Sequence, residues 1–236
     1  FQDRGGDLLT LRPEGTAPVC RAYIEHGMHN LPQPVRLYYV CPVFRYERPQ
    51  SGRYRQHHQF GVEVLGSAEP EVDVEVIELA WNILKKLDVS DIKLKINTMG
   101  DSDSRRLYIS KLQDYLNSKI DQIPESIKPR VSANPLRVLD SKDPKMFEIN
   151  NSAPKCLDYI NAASSEHWMT LLKNLDALSI PYEVDHKLVR GFDYYTRTVF
   201  EIVPSVEKTQ NTLIGGGRYD GLIEMLGGKS TPGIGF

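Results

Sequence analysis

The sequence predicts an α+β protein, an antiparallel sheet flanked by helices and interrupted by a helical insertion. Three features predict it. Strand-like runs rich in β-branched and aromatic residues lie before residue 99 and return after residue 181. Between them, residues 101–180 carry helical apolar spacing cut by Pro124, Pro129, Pro135, Pro144 and Pro154. An apolar run at Val35–Phe44 is followed, across a loop broken by Pro49 and Gly52, by an alternating run at 60–65, which reads as an antiparallel hairpin. One sheet is therefore expected to be assembled from both ends of the chain. Residues 1–99 form the first part of the core, 100–180 the helical insertion domain and 181–236 the second part.

The individual elements follow from local pattern. Gly5-Gly6-Asp7 is a turn, followed by a short strand at 8–11. Pro13 suits the first turn of a helix, which Val19, Ala22, Tyr23 and His26 continue to about Gly27. After the hairpin, Val72, Val76, Leu79, Ala80, Ile83 and Leu87 form the apolar stripe of a helix at 71–88, read as core packing. Residues 92–96 alternate with lysines and form a strand. The insertion opens with a helix on Leu107, Ile109, Leu112, Tyr115 and Leu116. It closes with one on Trp168, Leu171, Leu172 and Leu175. Strands return at Tyr182–Val184, 198–203 and 213–214, and a short helix is expected at 218–226. The triple glycine 215–217 permits close approach by a ligand or a neighbouring strand. No internal repeat or low-complexity tract is visible.

Composition narrows the function classes. With 236 residues the chain has room for one large domain or a domain with an insertion. Its 40% hydrophobic and 25% charged content is ordinary for a soluble globular protein. A net charge of -2 argues against a generally basic, nucleic-acid-coating protein, so any RNA contact must be local. Cys20, Cys41 and Cys156 are odd in number and form no Cys-x-x-Cys pair. They read as reduced thiols of a cytoplasmic protein, with neither a disulfide framework nor a zinc site. No apolar run approaches membrane-spanning length and no charged-then-apolar leader opens the chain, so no membrane partner is expected. Phe1 begins in mid-pattern and Thr231-Pro-Gly-Ile-Gly-Phe236 ends on an apolar approach, so the span reads as a fragment of a longer protein.

The hairpin carries the chemistry. Its loop holds Arg45, Arg48, Arg53 and Arg55, and guanidinium forks suit phosphate. Such a loop is often only a solvated tip. Here Arg45 sits within the strand pattern, where a charge needs a partner, and Gln59 and Glu63 alternate with Phe60 and Val62. One sheet face is thus polar, as a pocket floor would be. Glu14 and Thr16 lie at a strand-to-helix junction and read, from the residues alone, as a helix cap. Tyr194 and Tyr195 alone read as strand aromatics.

Residues 44–66 resemble motif 2 of the class II aminoacyl-tRNA synthetases, and specifically of the histidyl-tRNA synthetase family. Three other stretches are similar to the same family in the same order. They are Leu11-Arg12-Pro13-Glu14-Gly15-Thr16, Arg190-Gly191-Phe192-Asp193-Tyr194-Tyr195 and Gly215-Gly216-Gly217-Arg218-Tyr219-Asp220-Gly221. The resemblance implies a class II synthetase-like sheet that activates histidine with ATP and Mg2+ to histidyl-adenylate, then transfers it to the acceptor end of tRNA(His). It further implies a homodimer in the full-length protein. By resemblance, Arg45 and Arg190 are catalytic, on opposite sides of the α-phosphate. Glu47, Arg53 and His57 join them at ATP. Glu14, Thr16 and Gln59 hold the α-ammonium of histidine, Glu63 and Tyr195 meet its ring nitrogens, and Tyr194 flanks the pocket. No metal ligand is assigned to the protein with certainty.

The sequence departs from the family at His57, where a phenylalanine that resembles an adenine-stacking residue is usual. Imidazole can stack too, with less apolar area. His57 and His58 do not read as a metal pair, because strand neighbours face opposite ways. Motif 1, the arginine of motif 3 and the anticodon-binding domain are missing from the span, so the isolated fragment could be inactive. Asn134-Pro-Leu-Arg-Val-Leu-Asp140 resembles part of an insertion that leans on the tRNA acceptor stem. Arg105, Arg106, Lys111, Lys119, Lys128 and Arg130 equally suit a solvated surface. The alternative function is a non-catalytic relative: a histidine-sensing regulatory subunit or a sensor of uncharged tRNA. The presence of Arg45, Arg53, Gln59, Glu63 and Arg190 favours the enzyme.

Overall fold

The computed structural model describes residues 1–46, 48, 53–189, 194–206 and 212–236. In chain order it runs α1 (Thr16–Glu25), β1 (Val35–Phe44), β2 (Gln56–Leu65), α2 (Pro70–Lys86) and β3 (Ile92–Thr98). The excursion follows, with α3 (Ser102–Ser118), α4 (Lys128–Ala133), α5 (Leu136–Leu139) and α6 (Phe147–Asn151). Then come α7 (Ala162–Ala177), β4 (Tyr182–Val184), β5 (Thr196–Pro204), β6 (Ile214–Arg218), α8 (Leu222–Met225) and β7 (Gly233–Gly235). The strands form one seven-stranded sheet in the order β1-β2-β7-β6-β5-β3-β4. Every neighbouring pair is antiparallel except β3 and β4. The expected mixed fold, with an antiparallel sheet drawn from both ends of the chain, is what the protein adopts.

Strand alternation divides the sheet into two faces. On one, Val64, Leu94, Ile96, Phe200, Ile202 and Ile234 pack against Ile77 and Trp81 of α2 and Trp168 and Leu171 of α7. Burying each such side chain contributes roughly 1.5–3 kcal/mol. On the other, Val35, Leu65 and Tyr219 meet Cys20 and Tyr23 of α1 and Leu222 and Ile223 of α8. Farther along the chain, Tyr195 and Val199 pack against Tyr108, Leu112 and Cys156 of the excursion. Trp168, Leu171 and Leu175 of α7 thus join the sheet cluster, while the buried residues from Tyr108 to Cys156 share a cluster with Met99, Leu188, Tyr195 and Val199.

Local chemistry places these elements. Pro70 opens α2, Glu71 and Asp73 lie in its first turn and Lys85 and Lys86 in its last, each suited to the helix dipole. Asp101 caps α3 by accepting from the Ser104 amide at 2.9 Å, and Asn161 caps α7 by accepting from the Ser164 amide at 2.9 Å. The two caps touch. The Asn161 side-chain amide donates to Asp101, and its backbone amide donates to Ser104 Oγ at 3.2 Å. The chain therefore leaves the core and rejoins it at one place. Among the described residues, no helix is long and apolar enough to cross a membrane.

Several local expectations change. The first helix begins at Thr16, so Pro13 stands ahead of it rather than in its first turn, and the strand expected at 213–214 runs through the glycines as β6. Residues 8–11 are not a strand: Gln2 and Leu8 share one isolated bridge, and the stretch is exposed, with no strand among the described residues to extend it. The strand leaving the arginine loop starts at Gln56, because His57 and Gln56 continue the register with Val43 and Phe44. Arg218 is not helical. It ends β6, held there by a buried partner, and α8 is confined to Leu222–Met225.

Candidate functional site

A narrow cleft of about 50 Å³ opens on the sheet face that carries α1. Glu14, Thr16, Tyr39, Arg45, Gln59 and Tyr194 line it, together with Tyr195, Tyr219, Gly215, Gly235 and Phe236. A larger depression of about 490 Å³ lies elsewhere, over Trp81, Lys85 and the connection 88–92. The larger one is the poorer candidate. Its acidic groups, Asp88 and Asp91, come from one connection, and the Lys85 ammonium sits 5.5 Å over the Trp81 ring. The narrow cleft instead gathers polar groups from residues far apart in sequence, the pattern expected of a ligand site.

Glu14 is buried just ahead of α1. One carboxylate oxygen accepts from the Thr16 amide at 2.7 Å and the other from the Ala17 amide at 2.9 Å. The capping seen from the residues and a role in the cleft thus coincide, since each oxygen has a second lone pair. Thr16 turns its hydroxyl away from Glu14 and donates to Glu63 Oε1 at 2.8 Å.

Glu63 is fully buried beneath the cleft. Its second oxygen accepts from the Tyr219 hydroxyl. Burial pushes its pKa up to about 8, against the hydroxyl hydrogen bonds from Tyr219, Thr16 and Tyr39 that favour the anion, while the nearby Glu14 carboxylate pushes it up further. The packing around it leaves no slack. A Cβ on Gly235 would stand 1.8 Å from Glu63 Oε2. Tyr39 is wedged likewise, and a Cβ on Gly15 or Gly61 would come within 2.2 Å of its ring. These glycines are therefore required by close approach.

Tyr194 and Tyr195 come just before β5. Their rings are 4.8 Å apart, and Tyr194 meets Tyr219 edge-on at 5.9 Å. The Tyr195 carbonyl accepts from Arg105 of α3 at 3.4 Å. A register shift between Thr196 and Val199, with Arg197 at φ 47°, bends the chain beside this pair. Such bulges re-aim side chains near sites. Gln59 is half-buried on β2, opposite Cys41. Arg45 stands at the cleft edge, where its backbone amide donates to the Arg55 carbonyl at 2.8 Å and its Nε to the Pro13 carbonyl at 3.0 Å.

The structure therefore brings Glu14, Thr16, Gln59, Tyr194, Tyr195 and Arg45 together, with Glu63 directly below. Arg53 is exposed and outside the lining, and His57 is half-buried on β2, also outside it. Glu47 and Arg190 lie outside the described residues. Two participants were not assigned from sequence, Tyr39 and Tyr219. Tyr39 was findable, because the hairpin register sets it opposite Gly61, on the face that carries Gln59 and Glu63. Tyr219 stands inside a quoted motif, but its partner Glu63 is 156 residues away.

Comparison with known proteins follows the same lines. The family model described as histidyl-tRNA synthetase matches residues 1–236. A histidine--tRNA ligase of Dehalococcoides mccartyi is 50% identical over 236 residues, which is all of this chain and 56% of that protein. The chain thus spans about half the length of the curated relatives it matches. Among solved structures, an apo histidyl-tRNA synthetase of S. aureus superposes with a TM-score of 0.77 at 40% identity, covering 100% of this chain and 56% of that one. A Bacillus halodurans protein described as an ATP phosphoribosyltransferase regulatory subunit/histidyl-tRNA synthetase matches with a TM-score of 0.67 at 22% identity, over 100% of this chain and 64% of that one, which shows the fold alone.

Proposed function

Because the chain belongs to the histidyl-tRNA synthetase family, we propose that the longer protein containing it activates histidine with ATP and charges tRNA(His). The carrying observation is the convergence of Glu14, Thr16, Gln59, Tyr194, Tyr195 and Arg45 on one cleft over the buried Glu63. In this reading Glu14, Thr16 and Gln59 hold the α-ammonium. Tyr195 meets one ring nitrogen, Glu63 answers the other and Tyr194 closes the side. Fixed polar partners of this kind discriminate against analogues that lack a matching group by about 10⁴.

The histidine carboxylate attacks the α-phosphorus, and pyrophosphate leaves. A terminal ribose hydroxyl of the tRNA then attacks the acyl carbon, and AMP leaves. Both first reactants are anions, so positive charge must be held where they meet. Arg45, tied at Nε to the Pro13 carbonyl, holds the α-phosphate from the cleft edge. Arg190 is assigned the opposite side, Arg53 the outer phosphates, and Glu47 and His57 the remaining ATP contacts. Magnesium would be brought on the ATP phosphates and neutralise their charge. Among the described residues no group of three or more His, Cys, Asp or Glu is gathered to hold it.

The partners proposed are histidine, ATP, the tRNA acceptor end and a second copy of the longer protein, in a cytoplasmic setting. The sensor alternative has less support, since the match that names a regulatory subunit is 22% identical. The test is histidine-dependent exchange of labelled pyrophosphate into ATP, measured on the full-length protein with other amino acids as controls. Exchange with histidine alone is expected. Histidine binding in calorimetry without exchange would overturn the ligase reading in favour of a sensor.

A further inference from the structure

Arg218 heads the fully buried side chains by volume, and the proposed chemistry does not use it. Its guanidinium is engaged on every side. Nε donates to Asp73 Oδ1 at 3.0 Å, and Nη2 donates to the same carboxylate and to the Glu69 carbonyl at 3.3 Å. Nη1 donates to the Ser67 carbonyl at 2.8 Å and to Asp220 Oδ1 at 2.9 Å. Thr198 of β5 donates its hydroxyl to Asp73 Oδ2 at 2.5 Å, and His167 Nε2 of α7 stands 3.4 Å from that oxygen. The start of α2, β5 and the end of β6 are thereby tied at one point.

A buried ion pair gains little net stability over an apolar pair of equal volume, and its best-attested use is to fix register. Register matters here because β6 has almost no other side chains to hold it. Residues 215–217 are all glycine, and the next residue after Arg218 is Tyr219. Tyr219 gives its amide to the Gly233 carbonyl at 2.8 Å, and its ring lies so close that a Cβ on Gly233 would be 2.5 Å from it. Its hydroxyl meets Glu63, which in turn receives Thr16.

We propose that the Asp73–Arg218 pair is a positioning device for the amino-acid cleft, fixing the end of the glycine strand so that Tyr219 is held against Glu63. Arg218 and Asp73 act through Tyr219 and touch no substrate. The inference rests on the reading that the cleft binds histidine.

The experiment is a substitution cycle in the full-length protein, with exchange kinetics and melting temperatures read together. Asp73→Asn with Arg218→Gln replaces the pair by neutral amides, and Tyr219→Phe removes the hydroxyl it directs. The neutral pair should raise KM for histidine about tenfold and leave KM for ATP within about twofold. In the Tyr219→Phe background the same replacement should change KM for histidine by less than about twofold, because the group it positions is already lost. Equal factors in both backgrounds, or a lowered melting temperature with KM for histidine unchanged, would overturn the proposal. If the neutral pair fails to fold, Asp220→Asn, which loosens Nη1 from the partly exposed side, carries the same cycle and criteria. Absence of histidine-dependent exchange in the unsubstituted protein would overturn the functional reading itself. Exchange with the wrong cycle overturns the positioning proposal alone.

Discussion

Glu63 shows how one residue ties stability to the site. Unfolded, its carboxyl takes a proton near the ordinary 4.5; folded, it does so near 8. Between those values the folded state binds more protons, so its stability falls as pH rises through the window. The contribution is fully present below 4.5 and lost above 8. Glu63→Gln, close in size and uncharged, should flatten this dependence when urea midpoints are compared at pH 5 and pH 8. An unchanged slope would mean that another group sets it. Arg45 behaves differently. It is only half-buried, so Arg45→Ala should leave the melting temperature nearly unchanged while exchange falls by about 100-fold or more, as when a charge-stabilising donor is removed. Gln59 and Glu63 were legible as candidates because a carboxylate or amide in an alternating strand needs a reason to face inward, whereas Glu14 read as a helix cap and became a candidate only through the family resemblance. The bond that joins Tyr219 to Glu63 was not, since nothing near either residue reports the other.

At the level of elements, the best-read feature was the hairpin. Val35–Phe44 matches β1 from end to end, because a run of branched and aromatic residues bounded by breakers has few other fates. The failures share a cause. A strand at 8–11 requires a neighbour, which local sequence cannot supply. The fate of Arg218 depends on Asp73, which is 145 residues away on α2. The bulge near the start of β5, between Thr196 and Val199, was equally silent, yet it bends the chain beside Tyr195. Arg197 holds a left-handed φ of 47° there, a conformation that disfavours any Cβ. Arg197→Gly should therefore hold or raise stability by up to ~1 kcal/mol, and Arg197→Val should lower it. Chemical denaturation of both variants would decide the matter, and a glycine variant clearly weaker than the parent would show that Arg197 contacts outweigh the backbone strain.

Across the whole molecule, the cleft is a meeting of residues 14–16, the hairpin, residues 194–195 and the last strands, so no single stretch of chain contains it. That the sheet would be assembled from both ends was readable, because strand signals vanish at 100 and return after 181. The side on which α7 packs was not readable, since its helical signature is the same whether it packs within the excursion or against the sheet. The touching caps Asp101 and Asn161 carry a consequence of another kind. To the rest of the protein, residues 102–160 amount to a single closed loop whose ends already meet, and the entropy of closing a loop grows only as the logarithm of its length. In genetic terms such a junction is permissive. An in-frame gain, loss or exchange of that coding stretch would leave the reading of the sheet intact, and its first cost would fall on the apolar surface that Tyr195 and Val199 now share with it.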